Sequence, residues 1–444
     1  PVRDAYGYQT QLADTSTTPL LEDAAGNVMM ALHTFADGRQ AVVSTFDQSP
    51  YLTHSWLLEY DLVRWVTGGV FLGKKRAYLT AQVDDMFIDD DMWIAAIHNN
   101  DGSVQFRITG TDISSLVTWE DSFRQALPSG SSFSPVFAFN GIGTKTTEYA
   151  DTTLLAQALK YKRSFLWLSH TWDHENMDAM LQSAAYTEAN KNIKLANNDK
   201  LSGFNKTELV TPDVSGLTTL SAMEGLFQAG VRYVVSNTSL DSGKNPSFNV
   251  GMANALEPRI YEVPRHPTNV FYDVATPDNE TDEYNTHYPQ FGTLTYEQVL
   301  DKDTDIGVSY LFTGDIDPLM FHQPNLADYN AGTGLPPHSL YGDWVAAVAG
   351  KFNALSPAPI QTLQQRDIAN AMKQRDAYDS CGLTATIVES STGSRTLQLQ
   401  ASNACVVPVT GVSASHAGSV ETYLGTPTTS ITMTAGSVKS IALP

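Results

Sequence analysis

Apolar side chains recur along this chain in two rhythms that switch from segment to segment. Val28, Met30 and Leu32, then Ala41, Val43 and Thr45, alternate about the turn Asp37-Gly38, which predicts a hairpin over 27–46. Leu57, Leu58, Leu62, Trp65 and Val66 fall at helical spacing within 55–70. Further on, short apolar runs alternate with amphipathic stretches. Strands are expected at 77–83, 134–139, 164–169, 232–236, 259–263, 307–312 and 318–322, and helices near 151–162, 177–197, 217–229, 295–301, 341–352 and 360–377. That alternation predicts a parallel α/β fold, and about seven strands predict an incomplete or distorted (β/α)7 barrel. After Cys381 the runs 383–388, 396–401, 406–412 and 430–443 alternate strictly and are rich in Thr, Ser and Val, which predicts an appended C-terminal β-sandwich. The expected organisation is a lead-in segment over 1–75, a central α/β domain over 76–378 and a sandwich domain over 379–444.

Composition narrows the partners. The net charge of −21, from 48 acidic and 27 basic residues, would repel a phosphate backbone or an anionic membrane surface, so nucleic acid is not an expected partner. The same surface suits an acidic extracellular milieu or contact with a polycation. Two cysteines, Cys381 and Cys405, flank a predicted strand pair; a single disulfide there would imply an oxidising compartment, with two buried thiols as the alternative. Asn205-Lys206-Thr207, Asn237-Thr238-Ser239 and Asn279-Glu280-Thr281 are glycosylation acceptor tripeptides, consistent with secretion. No apolar run reaches the length of about 18 residues needed to span a bilayer. The chain starts at Pro1 with no leader pattern and is expected to be a trimmed piece of a longer secreted protein.

Candidate chemistry gathers at predicted strand ends. The run 165–168 leads into Ser169-His170-Thr171-Trp172-Asp173-His174, where two imidazoles four apart can face one metal ion if the backbone turns helically. The run 77–83 ends in Asp84-Asp85, and adjacent carboxylates can divide metal ligation from general-base work. A site of Asp85, His170 and His174 leaves positions open for water and a substrate carbonyl, a catalytic pattern that suits zinc and would also accept cobalt or nickel. Asp84 is then the candidate base, and Arg265, in Val263-Pro264-Arg265-His266-Pro267, the candidate partner that keeps it ionised. His322, closing 318–322, is the candidate acid, with Asp315 and Asp317 upstream as groups that orient it or raise its pKa. Each feature has a plainer reading alone: a chance H-x-x-x-H, a solvated acidic loop at Asp84-Asp85 or Asp89-Asp90-Asp91, a surface ion pair at Arg265, a core histidine at His322. Their joint placement at strand ends is far rarer than any one of them.

Taken in order, Val83-Asp84-Asp85, His170-Thr171-Trp172-Asp173-His174, Arg265-His266-Pro267 and Leu319-Met320-Phe321-His322 resemble the motifs of the NodB-type polysaccharide deacetylases. The chain departs from the common form in having Ala81-Gln82-Val83 before the aspartates, no glycine after Asp85 and a long gap to His170. Those departures, with the block from Tyr51-Leu52-Thr53-His54-Ser55-Trp56 through Ala81–Phe87, are similar instead to the fungal galactosaminogalactan deacetylases and related Pel polysaccharide deacetylases. The resemblance implies a secreted, divalent-metal enzyme, acting near a cell wall or biofilm, that removes acetyl groups from N-acetylgalactosamine or another N-acetylhexosamine of an exopolysaccharide. It implies Asp84 as base, His322 as acid, Arg265 as the tuner of the base, and Asp85, His170 and His174 as ligands, most simply of Zn2+. An acetylated amino-sugar polysaccharide is the implied partner, and Trp93, Trp172, Phe271, Tyr272 and Tyr288 are candidates to stack on its rings. Two rivals remain: a glycoside hydrolase using two carboxylates among Asp84, Asp85, Asp173 and Asp315, and a non-catalytic carbohydrate-binding or adhesion protein.

Overall fold

Six strands form the sheet that carries the candidate residues: β1 (Ala81–Met86), β2 (Val136–Phe139), β3 (Leu166–Ser169), β4 (Tyr233–Asn237), β5 (Tyr261–Pro267) and β6 (Leu319–His322). In this computed structural model, which describes residues 5–145, 147–149, 151–239, 247–413 and 418–443, they pair in the order β3-β2-β1-β6-β5-β4. All five pairings along that path are parallel, and Met252–Ala253 adds antiparallel to β5. The sheet curls into a half-barrel. Between its two ends, Glu208 bridges to Tyr233 of β4 and Leu209 to Ser169 of β3. Every residue of β1 and β2 is buried, as expected of parallel strands covered on both faces.

The incomplete α/β barrel is therefore present, with one strand fewer than expected. The run 307–312 lies inside the helix Tyr296–Thr313. A short apolar run cannot by itself tell a buried strand from one face of a helix. Here Val299, Asp303, Gly307, Val308, Leu311 and Phe312 are buried at helical spacing, and a capping box of Thr295 with Gln298 starts the helix well upstream. Two helices were not among those expected. Gly110–Ala126 buries Ile113, Leu116 and Phe123 and is opened by a capping box of Thr109 with Asp112. Pro277–His287 is polar along most of its length and is fixed by the Thr276 cap and Pro277 at its first position.

The C-terminal residues form the expected sandwich. One sheet pairs Leu383–Glu389, Arg395–Ala401 and Val438–Ala442; the other orders Gly418–Tyr423, Thr426–Met433, Cys405–Thr410 and Phe71–Leu72. Leu397 and Leu399 of the first pack with Val407, Val409, Ile431 and Met433 of the second in one core. A disulfide joins Cys381, at the end of the helix Gln365–Ser380, to Cys405, tying that helix to the sandwich. The chain divides into two compact units, Pro1–Gly68 and Gly69–Pro444, so barrel and sandwich belong to one unit. Within the first, the expected hairpin gains a third strand, Thr17–Glu22, and the helix Thr53–Val66 follows. Among the described residues no helix is long and apolar enough to cross a membrane.

Candidate active site

A bulge in β1 makes the paired carboxylates useful together. Val83 pairs with Phe137 and Met86 with Phe139, so β1 spends one residue more than β2 between these points. Asp85 takes up the extra residue with φ of 63°. In a regular strand the two side chains would point to opposite faces. Here both enter one site, Asp84 facing Arg265 and Asp85 facing the histidines.

His170 ends β3. Its Nδ1 lies 2.9 Å from the Val210 carbonyl oxygen, which only an Nδ1–H can satisfy, so in the neutral ring Nε2 keeps its lone pair for the site. His174 approaches the same point, but not by a helical turn. Thr171 and His174 have φ of 68° and 62°, and the segment is an irregular loop. The reason lies in the helix Gln182–Asp199. Glu188 Oε2 accepts the amides of Trp172 and Asp173 at 3.1 and 3.0 Å and so fixes the path of the loop between the two histidines. One turn on, Asn192 Nδ2 donates to the Phe139 carbonyl at 2.7 Å and also to that of Thr171. Asn140 Nδ2 donates to the His170 carbonyl at 2.6 Å. The backbone of Gly141 runs so close that a Cβ there would sit 2.5 Å from Asn192 Oδ1 and the Trp172 ring.

The result is a ready donor set. Asp85 Oδ1 is 3.2 Å from His170 Nε2 and 3.1 Å from His174 Nε2. Donor atoms around one tetrahedral ion with bonds of about 2.0–2.1 Å lie about 3.3 Å apart. Asp85 Oδ1 is buried and has no aligned hydrogen-bond donor among the described residues. An oxygen lone pair turned toward the lone pair of His170 Nε2 is repulsive unless a cation lies between them, so these residues fit a divalent metal. Burial alone would push the Asp85 carboxyl up; His170, His174 and His322 outweigh it and hold the group well below the carboxylate range.

Arg265, from β5, grips Asp84 with two parallel hydrogen bonds, NH1 to Oδ1 at 2.9 Å and NH2 to Oδ2 at 2.8 Å. Burial raises the Asp84 carboxyl, but the Arg265 charge, His170 and these bonds prevail and keep it lowered. His322 lies in register with Asp84 across the β1–β6 pairing, its Nε2 3.8 Å from Asp85 Oδ2. Burial lowers its pKa against the pull of Asp85 and Asp84. Asp315 and Asp317 do not reach it. They precede β6 at its opposite end, roughly 13 Å of strand away, and face His266 instead. All six candidate residues thus meet, while the expected helpers of His322 do not.

Asp90, read from sequence as part of a solvated run, also faces the site. Burial and the nearby Asp85 raise its carboxyl well above the ordinary range, and Gln323 Nε2 donates to its Oδ2 at 2.8 Å. Of the aromatic candidates, Trp93 is core, packed with Val274 and Leu340 and hydrogen-bonded to Asp282. Tyr272 is exposed, with its ring 5.6 Å from that of His322, and Trp172 lies between Lys145 and Lys191. Glu188, Asn192 and Asn140 were missed. The available signal was two polar residues on the otherwise apolar stripe Ala185, Ala189, Ile193 and Ala196 of one helix.

Glu188 gives a direct test. Truncation by Glu188→Ala removes the acceptor that shapes the histidine loop, and any divalent-metal affinity of the Asp85, His170 and His174 set, measured by calorimetry, is expected to fall about 10–100-fold. Glu188→Gln, which keeps an acceptor oxygen, should recover part of it. Unchanged affinity in both variants would mean the loop holds its shape without this contact.

The sequence matches the family described as Agd3 deacetylase domain over residues 79–162 and 145–386. The crystal structure of Agd3, described as a novel carbohydrate deacetylase, superposes with a TM-score of 0.87 at 18% identity, covering 100% of this chain and 77% of that one. Weaker likenesses include the 4-alpha-glucanotransferase from Thermococcus litoralis (TM-score 0.39, 10% identity, 67% of this chain and 40% of that one). The T48 deacetylase with substrate is comparable (0.32, 11%, 67% and 92%); scores so low carry no argument. No curated protein sequence matches the chain.

Proposed function

This chain belongs to the Agd3 deacetylase domain family, and on that premise we propose that it is a secreted, metal-dependent polysaccharide N-deacetylase acting on N-acetylgalactosamine or another N-acetylhexosamine of an exopolysaccharide. The observation that carries the reading is Asp85 Oδ1, unsatisfied and flanked by two imidazole nitrogens, beside an Asp84 gripped by Arg265. Asp85, His170 and His174 would hold the divalent ion, with zinc matching the two nitrogens and one oxygen best. Bound there, it would supply polarisation of the acetamide carbonyl and acidification of a water.

The chain's own groups complete the hydrolysis. Asp84, kept ionised by Arg265, accepts a proton from the water whose oxygen bonds to the acetyl carbon. His322, on the neighbouring strand, gives a proton to the departing nitrogen as the C–N bond breaks, leaving acetate and a free amine on the sugar. Burial lowers the proton affinity of His322, and the neighbouring Asp85 and Asp84 carboxylates oppose it by favouring the protonated ring. Tyr272, exposed beside His322, supplies a ring face for an adjoining sugar. The product is a polycation, and a chain of net charge −21 would hold it by electrostatic attraction. The Cys381–Cys405 disulfide and the three acceptor tripeptides support a secreted, cell-wall or biofilm setting.

Acetate release from an acetylated amino-sugar polymer is expected to vanish on chelation and to return with added zinc. Release that survives chelation would remove the metal from the mechanism. New reducing ends without acetate would point to glycoside hydrolysis, and polymer binding with neither product to an adhesion protein.

A further inference from the structure

We propose that His266, Asp315 and Asp317 form a second divalent-cation site, one that clamps β5 to β6. His266 follows Arg265 on β5, so alternation along the strand turns Arg265 toward Asp84 and His266 toward the opposite face. Asp315 and Asp317 lie two residues apart in the segment that leads into β6, and His266 itself pairs in register with Leu319. His266 Nε2 is 3.2 Å from Asp315 Oδ2 and 3.3 Å from Asp317 Oδ2. These spacings match the 3.2 and 3.1 Å of the first donor set and the edges expected around one ion.

Neighbouring hydrogen bonds aim the donors. Thr238 Oγ1 donates to the Arg265 carbonyl oxygen at 3.1 Å, so its remaining contact, with His266 Nδ1 at 3.3 Å, is as acceptor of an Nδ1–H. In the neutral ring that leaves the Nε2 lone pair facing both carboxylates. The ring is held flat against Tyr310, with centroids 4.1 Å apart, and meets Phe248 edge-on. Asp315 Oδ1 accepts the Asp317 amide at 2.8 Å and Asp317 Oδ2 accepts the Asn249 amide at 2.7 Å. The Asp317 side chain is fully buried, yet its Oδ1 has no hydrogen-bond partner among the described residues.

Nor does a lysine or arginine neutralise the pair. Among the described residues neither carboxylate has such an ion-pair partner; Arg375 donates instead to Asn249 Oδ1 at 2.6 Å and the Gly314 carbonyl at 3.2 Å. One nitrogen and two oxygens suit zinc or manganese. The alternative arrangement is an imidazolium shared between two carboxylates, which needs no metal.

Zinc titration of the metal-stripped full chain, followed by elemental analysis after desalting, separates the two. Two equivalents per chain are expected in the wild type, and one in Asp317→Asn, which leaves the Asp85, His170 and His174 donors intact. Asp85→Ala should also retain one. A wild-type stoichiometry of one, abolished by Asp85→Ala, would overturn the proposal. Zinc-edge anomalous diffraction from wild-type crystals gives a check that no variant's folding can confuse. A peak about 2.0–2.1 Å from His266 Nε2 is expected, and its absence beside a full peak at Asp85 would refute the site.

Discussion

Replacing Asp84 by Asn is expected to lower kcat for acetate release by about 10²–10⁴-fold, the usual contribution of a positioned general base, while zinc still binds. The substitution is nearly isosteric, but besides removing the proton acceptor it leaves the buried Arg265 without its counter-charge, so a loss of stability of about 3–5 kcal/mol is expected alongside. The donor set of Asp85, His170 and His174 contains no atom of Asp84. Because Asp84 acts on the water in the transition state, the loss should fall on kcat and kcat/KM alike, leaving KM little changed. Calorimetry with zinc supplies the control, since a simple collapse of the site would weaken metal binding in parallel. Retained kcat in a variant that binds zinc normally would take the base role away from Asp84 and turn attention to Asp90, the other carboxyl beside Asp85.

How far the sequence foretold this site depends on where each contribution comes from. Strands β2, β3 and β6 are built on short apolar runs and β1 continues the run 77–83, and parallel strands display reactive groups at their C-terminal ends, so Asp84, Asp85, His170 and His322 could be brought together without coordinates. Interactions between distant segments were not legible. The bulge that turns both aspartates inward is a property of register between β1 and β2. The non-helical path from His170 to His174 is imposed by Glu188 and Asn192 on a later helix. The run 307–312 misled because a local apolar pattern had two solutions, and only the Thr295 cap upstream and the buried stripe selected the helix. Asp315 and Asp317 were assigned to His322 by closeness in sequence, whereas the strand between them carries His322 away to the far end.

The fork between Arg265 and Asp84 makes the second large effect a matter of charge as much as geometry. Both partners are buried, so Arg265→Met leaves a carboxylate without its counter-charge and is expected to cost about 3–5 kcal/mol at neutral pH. In the wild type the Asp84 pKa is lowered, so its stabilisation is fully present above the unfolded carboxylate value near 3.9 and is lost as pH falls through the lower folded value. Without Arg265 the largest remaining influence is burial, which raises the pKa. The sign then reverses: the folded carboxyl holds its proton at mildly acidic pH, and stability falls as pH rises through the new value. Urea unfolding should therefore show a larger deficit for Arg265→Met at pH 8 than at pH 5. The acid limb of kcat/KM should move to higher pH, because the base must lose a proton that wild-type Asp84 never holds there. Arg265→Lys restores charge but not the two parallel bonds, and should return the acid limb toward wild type with only partial recovery of stability. An equal deficit at both pH values with an unmoved limb would reduce Arg265 to a packing residue, and the base would need another source for its ionised state.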